Sequence, residues 1–331
     1  MAALLQLEWR PFTLPLRRPL VTARGGLGTK RGWLLRLLTP EGAVGWGEAA
    51  PLDGDLSPLE RALPAVAAQP TVAALEALLP SLPLPLAFAL GAALAEIEGL
   101  PARRWRPAPA PARLLPAGEA ALAALAAFPA MDAVAAAGCP PVFKWKVAVA
   151  VEARERQLLE LLLQRLPSGS QLRLDANGGW DRPTAGRWAE RLVGEPRLAW
   201  LEQPLAADDR AGLMALTERF PSLPLALDES LVLHPEWRGS WRGWQVRRPS
   251  QEGDPRPLLV ALEQGQPGLM LSTAFETGIG ARWLAHLAAL QAEGPTPAAP
   301  GLAPGWLPQD SPLLSADPAV VWQAAAAAGG R

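Results

Sequence analysis

Leu172-Arg173-Leu174-Asp175 is a short, mostly apolar run that ends in a carboxylate directly before a loop. The same form recurs on either side of it. Phe143-Lys144-Trp145-Lys146 precedes it, and Ala199-Trp200-Leu201-Glu202, Ala226-Leu227-Asp228, Gln245-Val246-Arg247-Arg248 and Met270-Leu271-Ser272 follow. From Lys146 onward, the ends at Asp175, Glu202, Asp228, Arg248 and Ser272 lie at intervals of 29, 27, 26, 20 and 24 residues. Each interval holds one strand, one return helix and two loops, and its repetition predicts a parallel (β/α) barrel. A doubly wound sheet shares the period and is the alternative.

The first hundred residues follow another pattern. Trp33-Leu34-Leu35-Arg36-Leu37-Leu38, the turn Thr39-Pro40-Glu41-Gly42 and Ala43-Val44-Gly45-Trp46-Gly47-Glu48 read as a β-hairpin. Alanine- and leucine-rich helices follow from about Pro58 to Gly99. The proline-rich run Pro101–Pro111 breaks any regular element and reads as a linker. The expected organisation is a small α+β domain over residues 1–105 and a barrel over 106–310. A C-terminal segment, 311–331, returns to the first domain or is loosely ordered, with a loose tail from Ala324. Gly25-Gly26-Leu27-Gly28-Thr29-Lys30-Arg31-Gly32 matches neither phosphate-loop spacing and is expected to be a mobile lid segment.

Composition narrows the function. Half of the 331 residues are apolar, enough for a sizeable core, and 31 basic against 32 acidic residues leave a net charge of −1. That balance offers no attraction to nucleic acid or to an anionic membrane, so a small molecule is the expected partner. Oligomeric state is not readable, and a monomer is compatible. Cys139 is the single cysteine, so no intramolecular disulfide forms, and its place beside Pro140 reads as packing. Glu8 interrupts any signal-peptide core, and the apolar stretch Leu82–Ala95 is too short for a bilayer. A soluble cytoplasmic protein is expected. There is no tyrosine, and histidine occurs only at His234 and His286, which excludes a tyrosine acid, a histidine-centred triad and a three-histidine metal site. His286 falls among Leu284, Leu287 and Leu290 as a core residue, while His234 could approach a site. Acid–base work falls to carboxylates and lysines.

Three successive strand ends carry Asp175, Glu202 and Asp228. In a parallel barrel those ends open on one face, so three negative charges from distant sequence converge. A hard divalent cation with oxygen ligands is the natural counter-charge: Mg²⁺, with Mn²⁺ as a substitute. The plain alternative is that each acid caps its following helix. Lys144 and Lys146 stand two apart in one strand, which puts both ammonium groups on the same side. Beside the carboxylates, a lysine can serve as a general base. The alternative there is an exposed edge strand.

These fragments, with Leu201-Glu202-Gln203-Pro204, Leu227-Asp228-Glu229-Ser230, Gly45-Trp46-Gly47-Glu48-Ala49-Ala50-Pro51-Leu52 and Ser272-Thr273-Ala274-Phe275-Glu276-Thr277-Gly278-Ile279-Gly280, resemble the o-succinylbenzoate synthase family along nearly the whole chain. That family lies in the muconate-lactonizing branch of the enolase superfamily. The resemblance implies a (β/α)7β-type TIM barrel with an N-terminal α+β capping domain. It implies Mg²⁺-dependent syn dehydration of 2-succinyl-6-hydroxy-2,4-cyclohexadiene-1-carboxylate to 2-succinylbenzoate, on the way to menaquinone or phylloquinone. It places the base at Lys146, its neighbour at Lys144 and the metal ligands at Asp175, Glu202 and Asp228. Arg173 and Asn177 become supporting groups, and the amides of Ser272 and Thr273, expected at a helix start, hold a substrate carboxylate. In one place the chain departs from the family. The sixth-strand Lys-Pro pair is Arg248-Pro249 here, preceded by Arg247, and arginine makes a very poor base. Arg248 is therefore expected to act only as a fixed cation, unless Arg247 takes its place. This weighs against the N-succinylamino-acid racemases and dipeptide epimerases built on the same scaffold, with which a muconate cycloisomerase forms the first alternative. A metabolite-binding barrel without catalysis is the second alternative.

Overall fold

The computed structural model describes residues 4–22, 25–68, 71–99, 104–128 and 141–328. Cys139, linker residues 101–103 and the last three residues of the tail lie outside the described residues. Two compact units are distinguished: residues 1–109, 248–267 and 271–331 form one, and residues 110–247 and 268–270 the other.

The first unit is built on an antiparallel sheet in which β2 (Gly25–Leu38) lies between β1 (Gln6–Thr22) and β3 (Val44–Ala49). Gln6 stands opposite Leu38, and Trp33 opposite Ala49. The run Trp33–Leu38 is not a clean alternation because both faces of β2 are covered. Leu35 and Leu37 pack with helices α1 (Ser57–Ala67), α2 (Val72–Leu78) and α3 (Leu84–Ile97). Leu34, on the other face, packs with Phe12, Leu14, Val321 and Trp322. Arg36 shares that second face, where it pairs with Glu8 at 2.5 Å and lies 5.1 Å above the Trp322 ring.

Gly25–Gly32, expected as a mobile lid, is instead the first half of β2, with Gly25–Leu27 and Thr29–Gly32 paired to β1 on either side of a register shift at Gly28. The glycines mislead because a glycine run reads as a turn unless a partner strand holds it. Gly45 and Gly47 have a packing reason: an added Cβ would stand 1.9 Å from the Ala93 carbonyl oxygen and 2.0 Å from that of Ala89. β3 thus lies directly on the small-residue stripe of α3.

In the second unit, strands β4 (Arg113–Leu115), β5 (Val142–Lys146), β6 (Gln171–Asp175), β7 (Leu198–Glu202), β8 (Leu225–Leu227), β9 (Trp244–Arg247) and β10 (Leu269–Leu271) form one sheet, neighbours in chain order. All the registers described within it are parallel. Among the described strands the order never reverses, so they hold no switch point of the doubly wound kind, and the architecture is that of a (β/α) barrel. All six expected strands are present; β4, three residues long, is too short to show an alternation. Helices α4 (Ala120–Ala126), α5 (Glu152–Arg165), α6 (Arg182–Leu192), α7 (Arg210–Arg219), α8 (Glu229–Leu233) and α9 (Trp237–Ser240) belong to this unit. Phe143, Trp145, Leu172, Leu174 and Leu201 form a core with Leu158, Leu162, Trp188 and Leu213 from the helices. Period two then sends Lys144, Lys146, Arg173, Asp175, Trp200 and Glu202 to the opposite face.

The first unit is completed by α10 (Arg256–Glu263), α11 (Gly278–Glu293) and α12 (Pro318–Ala328). The tail expected to be loose from Ala324 is helical to Ala328, and Ala325 is buried. His286 is buried, with Trp105 edge-on to it at 5.6 Å. No helix among the described residues is long and apolar enough to cross a membrane.

Gly47→Ala should lower stability by about 1–3 kcal/mol, the usual cost of overpacking, read as a fall in thermal unfolding midpoint. Gly28→Ala, where an added Cβ meets nothing within 4 Å, should leave the midpoint in place.

Candidate active site

Register assembles the site. Lys144 stands opposite Arg173, Lys146 opposite Asp175, and Asp175 opposite Glu202. The Lys144 ammonium donates to Asp175 Oδ2 at 2.7 Å and to Glu202 Oε1 at 2.7 Å. Burial works against that charge, but Asp175, Glu202 and Asp228 outweigh it and hold Lys144 well above the ordinary lysine value. Burial would also raise Asp175, yet the charge and hydrogen bond of Lys144, with the charge of Lys146, keep its carboxyl below the usual range. Glu202 goes the other way. Its complete burial and the neighbouring Asp175 and Asp228 charges raise it, although Lys144 opposes them.

Other side chains complete the face. Trp200 Nε1 donates to Glu202 Oε2 at 3.2 Å, and the Arg173 guanidinium lies 3.9 Å from the Trp200 ring centroid. Arg173 is 1% exposed, and its Nε and Nη1 have no hydrogen-bond partner. Burial pulls it down to about 9, with Glu202 opposing, so it stays charged near neutrality. Asn177, at φ +44°, donates its N–H to Asp175 Oδ1 at 3.0 Å and its Nδ2 to Glu229 Oε1 at 3.1 Å. Glu229 is raised to about 7 by burial and by the Asp228 and Asp175 charges. Gln203, at φ +38°, accepts the N–H groups of Asp228 and Ser230 on Oε1 and donates Nε2 to Leu205 O and Ser230 Oγ.

Helix capping does not account for the acids. Asp228 occupies the N-cap of α8 without a side-chain capping bond, and Asp175 bonds its own loop. The mutual electrostatic influence of the three carboxylates is plain in the raised Glu202. Among the described residues, however, no three acidic, histidine or cysteine side chains form a ready metal cage. Lys144 instead bridges Asp175 and Glu202. The donor set, carboxylates without histidine or cysteine, fits a hard divalent ion.

The remaining expected residues have contacts in the first unit or turn away. Arg247 Nη1 donates to Gln245 Oε1 at 3.4 Å, and Gln245 in turn bonds the carbonyls of Arg238 and Trp241, so Arg247 turns towards the helix side of β9. Arg248 follows β9 and donates Nη1 to Thr273 O at 2.6 Å. Thr273 and Ser272 are not at a helix start: α11 begins at Gly278, and the Thr273 N–H is bound to Gly301 O at 2.9 Å. The amides at the start of α11 are held by Glu48, which accepts from Thr277 N at 2.9 Å and Gly280 N at 3.1 Å. The His234 ring lies tilted against Trp237, with centroids 5.8 Å apart, and its Nδ1 is 3.9 Å from Glu236. Glu229 and Gln203 stood inside quoted motifs without a role; nothing but their neighbours in space gives them one.

A family model described as enolase C-terminal domain-like matches residues 126–239. An o-succinylbenzoate synthase from Thermosynechococcus vestitus is 37% identical over 292 residues, 85% of this chain and 87% of the relative. The chain belongs to the o-succinylbenzoate synthase family of the enolase superfamily. A second o-succinylbenzoate synthase, from Edwardsiella ictaluri, is 30% identical over 86% of this chain and 87% of its own. The crystal structure of o-succinylbenzoate synthase from Thermosynechococcus elongatus BP-1, complexed with Mg in the active site, matches with a TM-score of 0.73 and 32% identity. It covers 89% of this chain and 92% of that one.

In this member of the o-succinylbenzoate synthase family, Lys144→Met should cost about 3–5 kcal/mol of unfolding free energy in chelator, the usual effect of removing one partner of a buried pair. Because Lys144 titrates higher folded than unfolded, its contribution is complete below the unfolded lysine value and is lost only as pH rises beyond it. Urea titrations should therefore still show the gap between wild type and variant at about pH 9, narrowing only towards lower pH, where the carboxylates left unpaired in the variant take up protons. A gap absent at about pH 9 would show that Lys144 is not the shared counter-ion.

Proposed function

We propose that this chain is a carbon–oxygen lyase that dehydrates 2-succinyl-6-hydroxy-2,4-cyclohexadiene-1-carboxylate to 2-succinylbenzoate in menaquinone synthesis. The observation that carries the reading is Lys144 bridging buried Asp175 and Glu202 on the strand that also ends in Lys146, in a chain 37% identical to a synthase of that name. Asp175, Glu202 and Asp228 would hold Mg²⁺, which lends positive charge to the substrate carboxylate and so makes the α-proton more acidic. Mn²⁺, of the same hard-oxygen preference, would substitute.

The chain's own residues do the rest. Lys146 Nζ takes the α-proton, the electron pair forms the ring double bond, and the neighbouring hydroxyl leaves with the proton returned from Lys146. One water is lost, the ring becomes aromatic, and the lysine is regenerated. Arg173 keeps two unpartnered buried nitrogens as donors for the charge that develops on the carboxylate. Lys144 stays a cation and fixes the two carboxylates, and Asn177 orients Asp175.

Racemases and epimerases on this scaffold are the second reading, and lysine count argues against them. The whole chain has three lysines, Lys30, Lys144 and Lys146, and the sixth-strand pair is Arg248-Pro249. A base for each face of the carbon is therefore lacking among the sheet's strand ends, and Arg248 supplies a fixed charge only.

An Mg²⁺-dependent spectrophotometric assay with the cyclohexadiene substrate tests the function. EDTA should abolish turnover, and Mg²⁺ or Mn²⁺ should restore it. Lys146→Ala should lose about 10²–10⁴-fold, the range for a positioned acid–base group, and Glu202→Gln should bind the metal weakly. Turnover at the wild-type rate in chelator would remove the metal from the reading. In D₂O, N-succinyl amino acids should exchange the α-proton of one enantiomer only; exchange of both would reveal a second base.

A further inference from the structure

Residues 147–151 carry the chain from Lys146, the last residue of β5, into α5. Three consecutive amides there converge on one side chain: Ala148, Val149 and Ala150 donate to the Glu155 carboxylate at 2.9, 3.0 and 3.0 Å. Glu155 is 1% exposed. An acidic residue in the first turn of a helix ordinarily caps that helix. Here the bonds reach past the N-cap, Val151, to the loop before it. The loop needs such a hold. Ala148 sits at φ +62°, the left-handed region that disfavours a side chain, and Val149 and Val151 are exposed at 61% and 76%, without apolar packing to fix them. On the strand side, Val147 N–H is bound to Asp175 O at 2.9 Å. The chain leaving Lys146 is thus pinned first to Asp175 and then to Glu155.

We infer that Glu155 is a positioning residue for Lys146: its carboxylate gathers the amides of residues 148–150 and so fixes the direction in which Lys146 leaves β5. This rests on reading Lys146 as the base. A base misplaced by about 1 Å can cost about 10²-fold in rate, while substrate and metal binding, which use other groups, are untouched.

The test compares Glu155→Gln, Glu155→Asp and Glu155→Gln with Ala148→Gly. Glu155→Gln should lower kcat by about 10–10²-fold, with KM and the Mn²⁺ dissociation constant, read by electron paramagnetic resonance, little changed. Glu155→Asp, which keeps the charge but shortens the reach, should lie between and serves if the glutamine variant does not fold. Adding Ala148→Gly relieves the left-handed backbone, so the unfolding midpoint should recover while kcat stays low. If kcat recovers with the midpoint, or never fell, Glu155 only stabilises the fold and the inference is overturned. Lys146→Ala is assayed beside them: normal turnover there overturns the base assignment, and the positioning role with it, whereas its loss beside a normal Glu155→Gln removes the positioning role alone.

Discussion

A single ammonium shared by two buried carboxylates is the constraint around which the parallel sheet is arranged. Lys144 cannot be buried alone, and Asp175 and Glu202 cannot be buried together without it. The pairing holds only if β5, β6 and β7 keep the register that sets Lys144 against Arg173 and Asp175 against Glu202. A slip of one residue would turn the lysines and acids into the aromatic and leucine core and bring Trp145 and Leu174 to the polar face. The same electrostatics explain why these ends must be parallel neighbours in chain order. Two acids from consecutive strands can share one lysine, with a third charge close by, only where the strand ends lie side by side.

What could be read from the amino acids follows from that two-faced sheet. Phe143 and Trp145 alternate with Lys144 and Lys146, and Leu172 and Leu174 with Arg173 and Asp175, so strand, face and terminus were all legible from spacing. Legibility failed where a segment's environment comes from distant sequence. The exception is the glycine run 25–32, which looked like a loop although its partner β1 ends only at Thr22: glycine itself signals a turn rather than a strand. Ser272 and Thr273 looked like a helix start, but the helix begins at Gly278, and Glu48, far away in sequence, occupies its first amides. Which of Arg247 and Arg248 faces where depended on Gln245, whose own side chain is turned by the carbonyls of Arg238 and Trp241. That arginine stands where the resemblance led one to expect a sixth-strand lysine was visible at once; the direction of each arginine was not.

Backbone strain marks the same places as the charges. Non-glycine residues with positive φ among the described residues include Ala148, Asn177 and Gln203. These follow Lys146 by two positions, Asp175 by two and Glu202 by one. Each is in the left-handed region, which costs an ordinary residue roughly 1–2 kcal/mol, and each is held there by side-chain hydrogen bonds at the strand end. Glu155 gathers the amides that begin at Ala148, Asn177 bonds Asp175 and Glu229, and Gln203 divides its bonds between its own loop at Leu205 and the neighbouring strand end at Asp228 and Ser230.

The recurrence has a mechanical reason. A strand that simply ran on into its loop would let a terminal side chain swing with the loop. A sharp left-handed turn immediately beyond it stops the strand, and the bonds that hold the turn transfer the rigidity of the sheet to its last residue. Strain is tolerated because it is over-determined by those bonds, and its position, just past the groups that must be aimed, is where rigidity has chemical value. Lys144 needs no such device, since two carboxylates hold its ammonium directly. Lys146, the group proposed to move the proton, has no comparable pair in contact among the described residues, and so its placement depends on the backbone that leaves it.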